Sequence, residues 1–263
     1  MSAVFRGYSQ AELDAQYEQR TWVPNADVLI ARFSTASDGV RTRLGEPETQ
    51  SYGPSPLEKL DIYGGRKDRA FVFVHGGAWR RESRRGSAYA AEPFVRAGAS
   101  FVVIGFAALP TITLPEMAGQ VRRGIEWVLG NLSSKAVVFG HSSGAHLAAC
   151  ALTRIAQVEK AMVVSGLYDL LPVRLSARNS YVRLDERLED EFSPIRHAAR
   201  IRCPVTVAWA EKDSDEFRRQ SGEFAKKLNA RNFEVKGVNH FEIVETLADP
   251  ASPLCRAALT MLQ

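Results

Sequence analysis

Short apolar runs recur along this chain, and most are followed by a stretch with helical spacing. RAFVFVHGG, ASFVVIGFAAL, KAVVFG, KAMVVSG and CPVTVAWAE read as strands buried on both faces, because such strands lose the alternation of half-exposed ones. LEKLDIYG alternates and reads as a strand ending in a Gly64-Gly65 turn, and NFEVKGVN as a last short strand. Between them lie helical stretches. In LPEMAGQVRRGIEWVLGNL, Leu114, Met117, Val121, Ile125, Val128 and Leu132 share one face. SAYAAEPFVRAG, SGAHLAACALTRI, DSDEFRRQSGEFAKKLNA and SPLCRAALTML are the others. This alternation predicts an α/β fold with a mainly parallel sheet flanked by helices and right-handed crossovers. The first 45 residues read as helical, starting from a Ser cap position in SQAELDAQYEQR. Residues 167–192 are polar, charged and weakly periodic, so a small excursion at the C-terminal edge of the sheet is expected there. No linker is visible, and the expectation is one domain over residues 1–263.

Composition narrows the partners. The net charge of +4 across 263 residues is too small to imply nucleic acid, and no nucleic-acid motif accompanies it. Arginine supplies 26 of the 34 basic residues; base composition of a genome can produce that bias. Cys150, Cys203 and Cys255 lie far apart, an odd number without CxxC spacing, which argues against a disulfide framework or a zinc site. Reduced thiols in a cytoplasmic protein are expected. No apolar run reaches the ~20 residues of a membrane span, and no secretory signal pattern opens the chain. No metal and no cofactor is expected. The sequence admits a homodimer without specifying one.

The chemistry starts at Gly140-His141-Ser142-Ser143-Gly144. This G-x-S-x-G pattern follows a strand and opens a helix, the context that sets a serine on a sharp, exposed turn. A serine hydroxyl needs a base. Of the five histidines, His75 precedes a glycine pair and reads as structural. His141 neighbours Ser142 and should point away from it. His146 lies one helical turn on, and His197 sits in a short helix after a proline. His240 follows the last strand, at the edge where Ser142 emerges. For the acid, Asp213 lies just past the preceding strand, with Asp215 as rival and Glu211 and Glu216 behind. The order serine, acid, histidine fits. Gly76-Gly77 in HGGAW then reads as an oxyanion loop, paired with the N–H of Ser143. The absence of G-x-G-x-x-G and of Gly-Lys-Ser/Thr argues against a nucleotide site. Trp79, Phe106 and Tyr168 are candidates for a flat apolar substrate pocket. Of the neighbouring arginines, Arg84 and Arg85 are expected on a solvated surface. Contact of Arg80 or Arg81 with a substrate carboxylate is the less favoured alternative to that same reading.

Taken together, HGGAW, GHSSGAHLAA, SGLYDLLP, SPI, EKDSDEFRRQS and NHFEIV resemble the α/β-hydrolase superfamily in its HGG-type branch, and more closely the kynurenine formamidase (arylformamidase) family. YEQRTWVPNA and YGPSPLEKLDIYGG extend the likeness over nearly the whole chain. The resemblance implies a triad of Ser142, Asp213 and His240 and an oxyanion hole at Gly76-Gly77. It also implies hydrolysis of a small amide or ester through an acyl-enzyme, with N-formylkynurenine as the best single substrate. A general carboxylesterase, or an amidase of aromatic catabolism, is the alternative; a non-catalytic binding protein fits the complete triad poorly. Two positions depart from the pattern, Ala78 for the usual Tyr of HGGYW and Phe106 for Tyr, and both bear on the substrate.

Overall fold

The computed structural model describes residues 3–81 and 84–263. Helices α1 (Gln10–Tyr17), α2 (Gln19–Trp22) and α3 (Ala26–Leu44) come first. Ser9 starts α1 with a capping box: its hydroxyl accepts the Glu12 N–H while the Glu12 carboxylate accepts the Ser9 N–H. Then follow β1 (Glu48–Ser51), β2 (Lys59–Tyr63), β3 (Arg69–Val74), α4 (Ala91–Arg96), β4 (Ser100–Ile104), α5 (Leu114–Asn131), β5 (Lys135–His141), α6 (Ser143–Leu152) and β6 (Lys160–Val164). The polar excursion folds into three short helices, α7 (Leu171–Leu175), α8 (Asn179–Val182) and α9 (Glu186–Glu191). β7 (Val205–Ala210), α10 (Asp215–Leu228), β8 (Arg231–Val235), α11 (Glu242–Glu245) and α12 (Pro253–Met261) complete the chain.

The eight strands among the described residues form one sheet, in the order β1-β2-β4-β3-β5-β6-β7-β8. β1 and β2 run antiparallel at one edge, and the pairs from β4 to β8 are parallel. The edge strand β1, of sequence ETQS, carries no apolar residue and lay outside the predicted elements. Alternate side chains feed two core layers. Val72, Val74 and Val138 point to one, while Phe71, Phe73 and Phe139 point to the other, where Phe71 stacks on Phe94 at 4.0 Å. The anticipated face of α5 is buried from Leu114 to Val128.

Register decides where the loops emerge. Val74 pairs with Gly140, and His141 with Val164. The chain therefore leaves β3, β5 and β6 side by side at one edge, which is the C-terminal edge where open parallel sheets place their sites. Among the described residues no helix is long and apolar enough to cross a membrane.

Candidate active site

Ser142 sits between β5 and α6 with φ 57° and ψ −126°, in a region that non-glycine residues rarely adopt. What permits the turn is the absence of side chains around it. A Cβ at Gly144 would press on the carbonyl oxygens of Val74 and His75, and one at Gly140 would strike the backbone of Ala145. The strained turn lifts the Ser142 hydroxyl to the floor of a cleft of about 900 Å³.

Three side chains meet there. The Ser142 Oγ donates to His240 Nε2 at 2.9 Å, and His240 Nδ1 donates to Asp213 Oδ1 at 2.6 Å. All three are almost completely buried. The other Asp213 oxygen accepts from Ser165 Oγ at 2.6 Å and from the Ala210 N–H at 3.0 Å, so the carboxylate is locked in orientation. Phe217 meets the His240 ring edge-on at 4.6 Å and Phe241 at 5.6 Å. Asp215 and Glu216 stand instead in the first turn of α10, and Glu211 pairs with Lys236 at 3.0 Å.

His141 has a role that its place in the motif did not signal. Its ring lies against that of His240, 4.9 Å between centroids, because its Nε2–H donates to the His240 carbonyl at 2.9 Å. It thereby ties the histidine loop to the serine turn. Burial and the neighbouring His240 hold its imidazole well below the usual histidine range. His75 stacks flat on Phe106 at 4.3 Å. His146 is buried in α6, and His197 lies in the 3₁₀ turn Pro194–Arg200.

The glycine loop abuts the serine. An added Cβ on Gly76 would lie 3.1 Å from Ser142 Cβ, so only glycine lets the loop come this close. Gly77 has φ 121°, and its carbonyl accepts the N–H groups of Arg80 and Arg81. No hydrogen bond among the described residues uses the N–H of Gly76 or Gly77. Ser143, next to Ser142, fixes this loop from the other side by accepting the Trp79 N–H on its Oγ at 3.2 Å.

The aromatic residues expected at the pocket are core residues instead. Ala78 and Trp79 both have positive φ (54° and 59°), and this turns the indole inward, where its Nε1–H donates to His146 Nδ1 at 3.2 Å. Tyr168 stacks on Phe224 at 4.1 Å, and Phe106 covers His75. None of the three lines the cleft. Its aromatic wall comes from Tyr17, Phe33, Tyr89, Tyr181 and Phe241. Four of these lie in the N-terminal helices and the excursion, or between β3 and α4, where no motif marks them. The Asp14 carboxylate accepts the Ala177 N–H at 2.7 Å, and Arg178 donates to the Tyr17 carbonyl, so the two distant segments close over the cleft together. Ala78 does line it, presenting one methyl group. Arg85 is exposed as expected. Arg84 is not, because it pairs with buried Asp61 beneath the sheet edge. Among the described residues no three or more His, Cys, Asp or Glu side chains gather as metal ligands would.

A parallel sheet with a serine on a strained strand-to-helix turn, hydrogen-bonded to a histidine past the last strand, defines an α/β-hydrolase. Solved structures with this fold include a Silicibacter sp. TM1040 protein provisionally described as a thioesterase (TM-score 0.87, 24% identity, 95% of this chain and 99% of that one). Another is a Pyrobaculum calidifontis esterase (TM-score 0.71, 17% identity, 91% and 94%). Residues 60–165 match the BD-FAE family. The chain is 32% identical to kynurenine formamidase of Danio rerio over 98% of both chains, and 29% identical to that of Salmo salar over the same shares. It belongs to the kynurenine formamidase family and is a hydrolase.

Proposed function

We propose that this protein is a serine hydrolase of aryl formamides, with N-formylkynurenine as its substrate. The observation that carries this reading is the chain Ser142–His240–Asp213 at the cleft floor. Ser142 Oγ attacks the formyl carbon while His240 Nε2 takes its proton. Asp213 holds the imidazole in the tautomer with Nδ1–H and stabilises the imidazolium. The tetrahedral oxyanion is met by N–H groups of the Gly76-Gly77 loop and of Ser143. The carbon–nitrogen bond breaks as His240 returns the proton to the aryl amine. Water, deprotonated by His240, then splits the formyl ester of Ser142, giving formate and free enzyme. A formyl group needs almost no acyl pocket; the aryl amine needs the wall of Tyr17, Tyr181 and Phe241. The kinship with kynurenine formamidases supports the same substrate.

Replacing Ser142 with Ala should lower kcat for formate release from N-formylkynurenine by about 10⁴-fold or more, with unchanged thermal unfolding. Retention of wild-type turnover would exclude Ser142 as the nucleophile. Ala78 favours a second reading, because its methyl group leaves room at the cleft wall for a larger acyl group. In that case p-nitrophenyl butyrate would be cleaved with a higher kcat/KM than N-formylkynurenine.

A further inference from the structure

The cleft carries charge that the hydrolysis does not use. Four arginines reach its wall, Arg20, Arg80, Arg81 and Arg178, against the carboxylates of Asp14 and Glu18. Most of the remaining charge is committed within the protein. Arg20 pairs with Asp27 at 2.6 Å. Asp14 accepts from the Ala177 N–H and from the Gln10 amide at 2.9 Å, and Glu18 accepts the Arg20 N–H at 3.2 Å. Among the described residues, neither Arg80 nor Arg178 has a carboxylate within ion-pair distance.

Their surroundings are aromatic. The Arg80 guanidinium lies over the Tyr181 ring, 4.7 Å from its centroid. That of Arg178 lies 5.8 Å from the Tyr17 ring and 5.9 Å from the Trp79 ring. Arg178 donates through Nη2 to the Tyr17 carbonyl, but its Nη1 is fully buried and donates to no acceptor among the described residues. Both cations act on one hydroxyl: burial raises the Tyr181 phenol above its usual range, and Arg178 and then Arg80 oppose that rise. The Glu18 carboxylate acts on the same hydroxyl in the opposite direction, more weakly than either cation. A buried N–H left without an acceptor is costly, more so on a charged group. Aromatic faces orient a guanidinium without neutralising it, and its planar fork matches a carboxylate.

We propose that Arg80 and Arg178, on the same cleft wall as Tyr181, form an anion subsite that takes a carboxylate on the leaving-group half of the substrate. This rests on the formamidase reading above, in which the acyl half is a formyl group with no place for a charge. It makes Arg80 and Arg178 determinants of specificity, selecting anionic aryl amines over neutral ones of the same shape.

The test is calorimetric titration of the Ser142→Ala protein with N-formylkynurenine and with its carboxamide, which differ in charge at one group. The carboxylate form should bind about tenfold to a hundredfold more tightly. Arg80→Gln and Arg178→Gln, each added to Ser142→Ala, should lower that ratio, and Arg80→Lys should restore part of it. Arg178 also holds the Tyr17 carbonyl, so Arg80→Gln is the variant that separates binding from folding, with thermal unfolding followed alongside. Equal affinity for the two compounds, no binding of either, or a ratio unchanged by both glutamine variants overturns the subsite. Formate release by the wild-type protein from the neutral carboxamide is measured separately. It reports on the serine chemistry alone, so the two ideas fail by different readings.

Discussion

Gly144 shows how one missing side chain shapes the site. Its Cα faces the carbonyl oxygens of Val74 and His75, the last residue of β3 and the one after it. Gly144→Ala should therefore push the glycine loop away from Ser142. The expected cost is about 3 kcal/mol or more in chemical denaturation, with a larger fractional loss of kcat than of folded protein. The G-x-S-x-G spacing was readable because this steric demand is local. The roles of Trp79, Phe106 and Tyr168 were not. Adjacency to a motif says nothing about which way a side chain points, and the positive φ of Ala78 and Trp79 sends the indole into the core. Tyr17 and Tyr181 reach the cleft only through tertiary packing.

At the scale of elements, legibility followed burial. Strands β3 to β7 are buried along nearly their whole length and wrote continuous apolar runs, as expected of parallel strands covered on both faces. β1 pairs on one side only and is mostly exposed, so nothing in its composition sets it apart from a loop. The excursion had no periodicity because its three helices are short, each of six residues or fewer. The amphipathic α10 offers a contrast to the serine turn. Gly222 lies inside this helix with no atom within 4 Å of an added Cβ. Gly222→Ala should raise stability by about 0.5–1 kcal/mol, visible as a higher Tm, with hydrolysis unaffected. A lower Tm would mean that the helix is strained there.

For the molecule as a whole, two buried histidines make the fold sensitive to mild acid. Burial pushes His146 down to about 4, and His141 is shifted in the same direction. An unfolded imidazole titrates near 6.5. Between those values the unfolded chain binds a proton that the folded one refuses, so stability is full above pH ~6.5 and falls as the pH drops toward 4. For His146 alone the loss is roughly 3 kcal/mol across that window. Tm measured from pH 7.5 to 4.5 should fall steadily below pH 6.5, and a flat profile would contradict the burial of neutral imidazoles.

The join between the first helix and α10 bears on how the chain is made. Tyr17 donates to Glu216 at 3.1 Å and accepts from Gln220 at 2.9 Å, while Ser214 donates to the Gln16 carbonyl at 2.7 Å. These partners lie about 200 positions apart in sequence. During synthesis at ~5–20 residues per second, α1 waits on the order of 10–40 seconds before its docking groove on α10 exists. A helix made some 200 residues ahead of its partner thus docks late, and until it does the nascent hydrolase has no finished mouth.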